Sequence, residues 1–436
     1  MSAELLPGAR IVLSGRGGVC RVQTCLGQGG QGAVYRISPR RGEDLALKWY
    51  HPRAATPSQE EALSLLVEQG PPSAGFLWPL YLATAQGLPG FGYAMPLRPG
   101  RYVDLALLLS GGAAATVAIL ARAGVELADA FLQLHTRGLC YRDISFGNVF
   151  LDPKTGEILV CDNDNVGESG SPPDVLGTPA FMAPEIVAGL ALPDTNTDLH
   201  SLAVLLFYLL ARGHPLEGRR EAAIHCLDEP ARRALYGPDA LFVFDPVNLA
   251  NRPVPGYHDK PLGLWPLYPA RLRDTFAAAF GAGLRRPAAR PRTSDWRRAL
   301  ARLRDAVGVC PACGGEILYD PDFPPARCPL RGCGAPLPRA PRLLVAGREP
   351  VALHPGATLF PHHFLPGPPD LRAPVARVRA RPGHPGVFGL GNLGGVPWDL
   401  AAADGGRVLV LPDRSAPLVP GTRLAILGAD AQVIAP

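Results

Sequence analysis

At 436 residues the chain exceeds what one hydrophobic core usually sustains, so two or three domains are expected. Its apolar content of 47% is globular, and a formal net charge of +5 is too mild to argue for a nucleic-acid partner. The main apolar run, Leu202 to Ala211, is too short to span a bilayer. No basic region followed by an apolar stretch and cleavage site opens the sequence, so a cytoplasmic protein with no membrane span is expected.

The basic residues are skewed: three lysines (Lys48, Lys154, Lys260) stand against forty arginines, beside 50 glycines and 49 prolines. A lysine retained at a motif position in such a chain is a weak candidate for accident. Four of the nine cysteines fall within 24 residues at paired spacing, which in a chain without an export signal points to metal before disulfides.

In chain order, residues 10–13, 19–26, 33–37 and 45–50 alternate as short strands broken by glycines, and a helix is expected near 57–69. Gly27-x-Gly29-x-x-Gly32-x-Val34 lies between two of the strands, where glycines let a hairpin backbone approach a triphosphate. Residues 113–137 carry helical apolar spacing and end at Gly138. Tyr141-Arg-Asp143-Ile-Ser145-Phe-Gly147-Asn148 follows, then β-like pieces at 149–151 and 158–161 and the acidic run Asp162-Asn163-Asp164. Residues 194–306 read as mostly helical. A strand-rich part followed by a larger helical part makes the first 307 residues α+β with two lobes.

These motifs, in this order, resemble the eukaryotic-like protein kinases. The resemblance implies an ATP-dependent enzyme that uses Mg2+ and transfers a phosphoryl group to Ser or Thr of a protein substrate. It makes 1–307 the kinase domain, with an N-lobe over about 1–96 and a C-lobe over about 97–307. Gly27, Gly29, Gly32 and Val34 would cover the nucleotide, and Lys48 would hold its phosphates. Glu61 (with Glu60 close behind) would brace Lys48, and Met95 would meet adenine. Asp143 is the implied catalytic base, with Asn148 and Asp162 as magnesium ligands. Gly177–Glu185, Asp198 and Arg290 resemble the end of the activation segment, the brace of the catalytic loop and the partner of Glu185. Arg142 would read phosphate added at Ser169, Ser171 or Thr178. The wording around the loop is most similar to bacterial members found beside von Willebrand A proteins of tellurite-resistance type and metal-dependent protein phosphatases, which are therefore implied partners.

Three departures from the family pattern stand out. Ser145 and Gly147 stand where a loop cation neutralises the transferred group. Asn163-Asp164 replaces Phe-Gly, with Asp164 free to help a second metal. Tyr141 replaces a histidine. A pseudokinase scaffold that binds ATP without transfer therefore stays open as an alternative.

Cys310, Cys313, Cys328 and Cys333 form two knuckles of Cys-Pro and Cys-Gly type, the signature of a closed Zn2+ ribbon over 308–340. A nucleic-acid-binding protein acting through this ribbon is a second alternative, disfavoured because no aromatics interleave the nearby arginines. Residues 341–436 hold short β runs between Gly and Pro. They resemble the later strands of a forkhead-associated β-sandwich, without its phosphothreonine-binding set. His362-His363 is a metal-ligand candidate weighed against exposed loop histidines.

Overall fold

The computed structural model describes residues 4–172, 177–320 and 324–436. Six antiparallel strands, β1 (Arg10–Leu13), β2 (Gly18–Gln28), β3 (Gly32–Pro39), β4 (Leu45–Tyr50), β5 (Tyr81–Ala85) and β6 (Leu88–Pro96), close into a barrel in the order β1-β2-β3-β4-β6-β5. Closure comes from β1 pairing with β5, Ile11 opposite Ala85.

The two-residue period of a strand decides what each side chain of this barrel meets. In β4, Leu47 and Trp49 join Ile11, Ile37 and Ala94 inside the barrel. Ala46 and Tyr50, on the other face, belong to the large core shared with the helical lobe. Lys48 lies on that second face, opposite Tyr93 of β6, which is how a lysine comes to be only 5% exposed.

The helix Pro57–Gln69 begins where the Thr56 side chain accepts the Gln59 N–H at 3.2 Å, with proline in its first turn, and stops at Gly70, whose φ is +66°. Leu63 and Leu66 are its buried residues. From its far end the chain crosses to the helical lobe: Leu77 N–H donates to Val160 O at 2.8 Å and Val160 N–H to Gly75 O at 2.7 Å. The segment preceding the acidic loop is thereby stitched to the segment following this helix.

In the helical lobe Val117–His135 packs against Thr195–Ala211 and against the last helix, Thr293–Ala306. Thr195–Ala211 opens with a capping box, Asp194 Oδ1 accepting from Thr197 N–H at 2.9 Å and Thr197 Oγ1 accepting from Asp194 N–H at 3.0 Å. Arg290 and Glu185 form a bidentate pair at 2.6 and 2.7 Å, with the arginine side chain 1% exposed. The Arg- and Pro-rich stretch around 285–292 is thus anchored inside the lobe at Arg290, while Arg285, Arg286 and Arg292 stay exposed.

The hairpin Val307–Val309 with Glu316–Leu318 continues directly from the last helix and carries the first cysteine knuckle, Cys310 and Cys313, between its strands. Its Glu316 carboxylate accepts the N–H groups of Val117 and Ala118 at 2.7 and 3.2 Å, capping the start of helix Val117–His135. Beyond it lies a β-sandwich with its own core of Leu343, Leu359, Leu390, Trp398, Ile426 and Val433 among others. One antiparallel sheet runs Val351–Ala352, Arg342–Val345, Ala429–Ile434, Arg423–Ile426, Trp398–Ala401, Arg407–Val410; the other runs Thr358–Leu359, Ala376–Arg381, His384–Asn392, Ser415–Pro417. No helix among the described residues is long and apolar enough to cross a membrane.

Removing one member of a buried ion pair strands the other charge. Glu185→Ala is expected to cost about 3–5 kcal/mol of unfolding free energy in denaturant titration, through the uncompensated Arg290.

Candidate active site

The loop Tyr141–Asn148, the candidate catalytic loop, is held from below by one carboxylate. Asp198, one turn into its helix and 1% exposed, accepts Tyr141 N–H at 2.6 Å and Arg142 N–H at 2.9 Å, and lies 3.0 Å from His135 Nε2. This grip accommodates Arg142 at φ +75°, a conformation a non-glycine residue adopts only when its surroundings impose it. Tyr141, in the place expected for histidine, is fully buried and donates its hydroxyl to the Cys161 carbonyl. The tyrosine thereby ties the catalytic loop to the residue preceding Asp162. Phe146 adds an apolar anchor, edge-on to Phe181 and Tyr208 with ring centres 4.9 and 4.5 Å away.

Asp143 is oriented at both oxygens. Its Oδ1 accepts from the backbone and hydroxyl of Thr178, each at 2.9 Å, and its Oδ2 from Asn148 Nδ2 at 3.1 Å. Asn148 Nδ2 also donates to the Asp143 carbonyl at 2.8 Å, so the Asn148 amide oxygen is the end left for a cation.

Lys48 comes to this loop from the barrel. Its ammonium donates to Asp162 Oδ1 at 2.5 Å, to both oxygens of Asp164 at 2.8 and 3.0 Å, and to Gln31 Oε1 at 2.9 Å. Glu61, expected as its brace, is exposed and has no ion pair among the described residues. The helix instead presents Gln59, whose Nε2 donates to Tyr50 Oη and to the Asp164 carbonyl, each at 3.2 Å. The reason is rotational: Leu63 and Leu66 must face the core, which puts Gln59 on the inner side and Glu61 in water.

Asp164 takes the place of that brace. Its side chain is fully buried, and besides Lys48 it accepts the hydroxyls of Tyr50 and Tyr93, the latter at 3.1 Å. Burial would raise its pKa, but Lys48 and the Tyr50 hydroxyl outweigh burial and hold it below the ordinary carboxylate value. With its oxygens spent on protein donors, Asp164 is a structural counterion, contrary to the expectation that it helps a second metal. Asp162 is the softer acid. Its side chain remains 32% exposed, and burial with the neighbouring Asp164 charge raises its pKa to about 6 against the pull of Lys48. Asp162 sits at φ +56° at the start of the single turn Asn163–Asn165, and Asn163 pins that turn by donating to Leu77 O at 2.8 Å. Asp-x-Asp spacing was the one sequence signal for this arrangement, and by itself it does not say which acid turns inward.

The glycine hairpin lies over the lysine, with Gln31 at its tip also donating to Asn165 Oδ1 at 3.4 Å. Its glycines divide by role. A Cβ on Gly32 would come 2.2 Å from the Trp49 carbonyl oxygen, so this glycine serves strand packing. A Cβ on Gly27 would meet nothing within 4 Å, and one on Gly29 only a backbone oxygen at 3.8 Å. That leaves backbone open to a ligand. Val34 is half-buried against the shared core. Met95, expected to meet adenine, is 7% exposed and part of that core. Ser145 is buried, whereas a Cβ on Gly147 would meet nothing within 4 Å. Arg142 Nη2 donates to the Ser171 hydroxyl and to Glu168 O, so of the three hydroxyls singled out for phosphorylation it is Ser171 that this guanidinium holds.

The second candidate site is the ribbon. Cys310 and Cys333 sulfurs are 3.8 Å apart, those of Cys313 and Cys328 3.9 Å, and all four lie within 4.8 Å of one another. Four sulfurs at about 2.3 Å from a central zinc stand about 3.8 Å apart, so the donor set fits tetrahedral zinc and is far too wide for disulfides.

Asp164→Asn is expected to destabilise the fold by about 3 kcal/mol and weaken nucleotide binding, while Glu61→Gln leaves both unchanged. Denaturant unfolding and calorimetric titration with a non-hydrolysable ATP analogue test the pair of variants.

Residues 102–235 match the family model described as protein kinase domain. Among similar proteins, CBL-interacting protein kinase 4 of Oryza sativa subsp. japonica is 33% identical over 130 residues, 26% of this chain and 28% of that protein. Protein kinase MCK1 of Saccharomyces cerevisiae is 29% identical over 159 residues, 36% of this chain and 40% of that protein. CBL-interacting serine/threonine-protein kinase 12 of Arabidopsis thaliana is 31% identical over 106 residues, 23% of this chain and 22% of that protein. The chain thus spans less than half the length of each of these relatives, and it carries a protein kinase domain whose relatives include Ser/Thr kinases.

Proposed function

We propose that this protein is an ATP-dependent kinase that transfers the γ-phosphoryl group to a Ser or Thr hydroxyl of a protein substrate. The observation that carries this reading is the meeting of Lys48 with Asp162 at 2.5 Å, beside a loop in which Asn148 holds Asp143 at 3.1 Å. Asn148 through its amide oxygen and Asp162 through its cleft-facing carboxylate are the donors suited to magnesium, which when bound supplies charge neutralisation on the phosphates. Lys48 offers a fixed positive charge to phosphate oxygens, in competition with Gln31. Asp143, oriented by Thr178 and Asn148, accepts the proton of the attacking hydroxyl.

One observation favours a slower or silent enzyme. Neither Ser145 nor Gly147 supplies the loop cation, so charge on the transferred group is met by Lys48 and metal alone. A scaffold that binds ATP without efficient transfer is the second reading. The open surroundings of Gly147 leave room for a cation there.

The ribbon is read as a structural zinc site and the sandwich as forkhead-associated-like, supported by its two antiparallel sheets of six and four strands. Both would recruit partners; proteins of von Willebrand A and metal-dependent phosphatase type are the proposed ones, on the wording of the catalytic and acidic loops.

With labelled ATP and magnesium, Asp143→Asn is expected to lower autophosphorylation or transfer to a generic protein substrate by about 10²–10⁴-fold while leaving nucleotide affinity unchanged. Wild-type protein that labels no better than this variant would instead support the scaffold. Cys310→Ser is expected to abolish the ribbon's zinc and, by Zn2+ loss, to expose the ribbon over 308–340 to proteolysis.

A further inference from the structure

Where the last helix of the kinase lobe ends against the sandwich, three side chains converge. Asp305 lies in the final turn of Thr293–Ala306, and His362 and His363 form the short turn Pro361–His363 that follows strand Thr358–Leu359. One ligand atom from each of Asp305, His362 and His363 lies within 4.8 Å of the others. His363 is 6% exposed and its Nε2 is 3.1 Å from Asp305 Oδ1. The Nε2 of His362 is buried without a hydrogen-bond partner. A buried imidazole nitrogen lacking a partner is costly unless something fills the gap.

Of the two rings, that of His362 is already placed for metal binding. His362 Nδ1 stands 3.2 Å from the Asp370 carbonyl, whereas His363 Nδ1 accepts the Phe360 N–H at 2.8 Å and keeps its ring proton on Nε2, facing Asp305 Oδ1. At His362 the carbonyl accepts the Nδ1 proton and leaves Nε2 with a lone pair, the arrangement that orients histidine ligands; a cation at His363 Nε2 takes the place of that ring's proton, which shifts to Nδ1 and the Phe360 carbonyl 3.2 Å away. The end of a helix carries negative partial charge, which favours a cation beside Asp305. Two basic groups nearby are engaged elsewhere: Arg348 donates to the His362 carbonyl at 2.9 Å, and Arg304 lies over the Phe360 ring at 5.5 Å. A cleft of about 720 Å³ between the last helix and the sandwich, lined by Asp305, His362 and His363 among others, gives a path of entry.

We propose that Asp305, His362 and His363 form a second metal site, for a divalent first-row cation of the zinc class, which clasps the sandwich to the end of the kinase lobe. Two imidazoles and one carboxylate make a mixed nitrogen and oxygen set suited to zinc, with a fourth position left for water. The site shares no residue with the four cysteines and does not depend on phosphoryl transfer.

Cobalt titration of the untagged full-length protein after zinc removal tests it. Two equivalents are expected: one with the intense thiolate-to-cobalt bands of the four cysteines, one with only the weak visible bands of nitrogen and oxygen ligands. The double variant His362→Gln with His363→Gln is expected to take up one equivalent, with thiolate bands intact, and to lose affinity for the other by more than about 100-fold, beyond what changes in the outer shell cost. Cys310→Ser with Cys313→Ser is expected to keep only the weak bands. Wild-type protein that saturates at one thiolate-bound equivalent overturns the proposal even should the variants fail to fold. So does a folded double histidine variant that still binds two.

Discussion

The ammonium of Lys48, 5% exposed between barrel and lobe, must be compensated where water cannot reach it, and the surrounding structure is arranged to do this. Two carboxylates two residues apart share the task unequally. Asp164 is sunk completely and fixed by Lys48, Tyr50 and Tyr93, whereas Asp162 keeps about a third of its side chain in the cleft. One acid makes the buried charge tolerable, and the other keeps an oxygen accessible from the cleft. Two acids against one lysine leave a net negative site, to which a cation is drawn.

Placing the counterion on the loop has a conformational consequence. A lysine paired with a glutamate on a neighbouring helix depends on where that helix sits. Here the link from the helix Pro57–Gln69 is a neutral one, Gln59 to Tyr50 and to the Asp164 backbone. The lysine is set by β4 and by a loop whose turn is pinned at Asn163 and whose strand is stitched to Gly75 and Leu77. The loop Tyr141–Asn148 reaches the same assembly through Tyr141, whose hydroxyl bonds the Cys161 carbonyl. Barrel, acidic loop and catalytic loop therefore form one hydrogen-bonded body over the buried Asp198.

The C-terminal parts are docked to this body through polar contacts as well as apolar ones. Glu316 of the ribbon hairpin caps the helix Val117–His135. His354 of the sandwich stacks on Tyr319 at 4.4 Å and donates to the Asp305 carbonyl at 2.7 Å, satisfying an end of the last helix. Ribbon and sandwich thus both fasten to helices of the lobe, and neither hangs on a free linker.

The sequence by itself determined the local elements and the identity of the chemical groups. Short β-like runs between glycines placed β1 and β4, apolar spacing placed the helix over 113–137, and motif order named Lys48, Asp143, Asn148, Asp162, Glu185, Asp198 and Arg290, because these depend on short-range spacing. What only the tertiary structure decided is which of them touch. The choice of Asp164 over Glu61 rests on a contact spanning 116 residues and on the rotation of a helix fixed by Leu63 and Leu66. The burial of His363 against Asp305, 58 residues back, likewise follows from how the sandwich seats on the last helix. Periodicity reports which face of an element is inward, but two acids or two histidines of similar polarity are told apart only by the partners that arrive from distant segments.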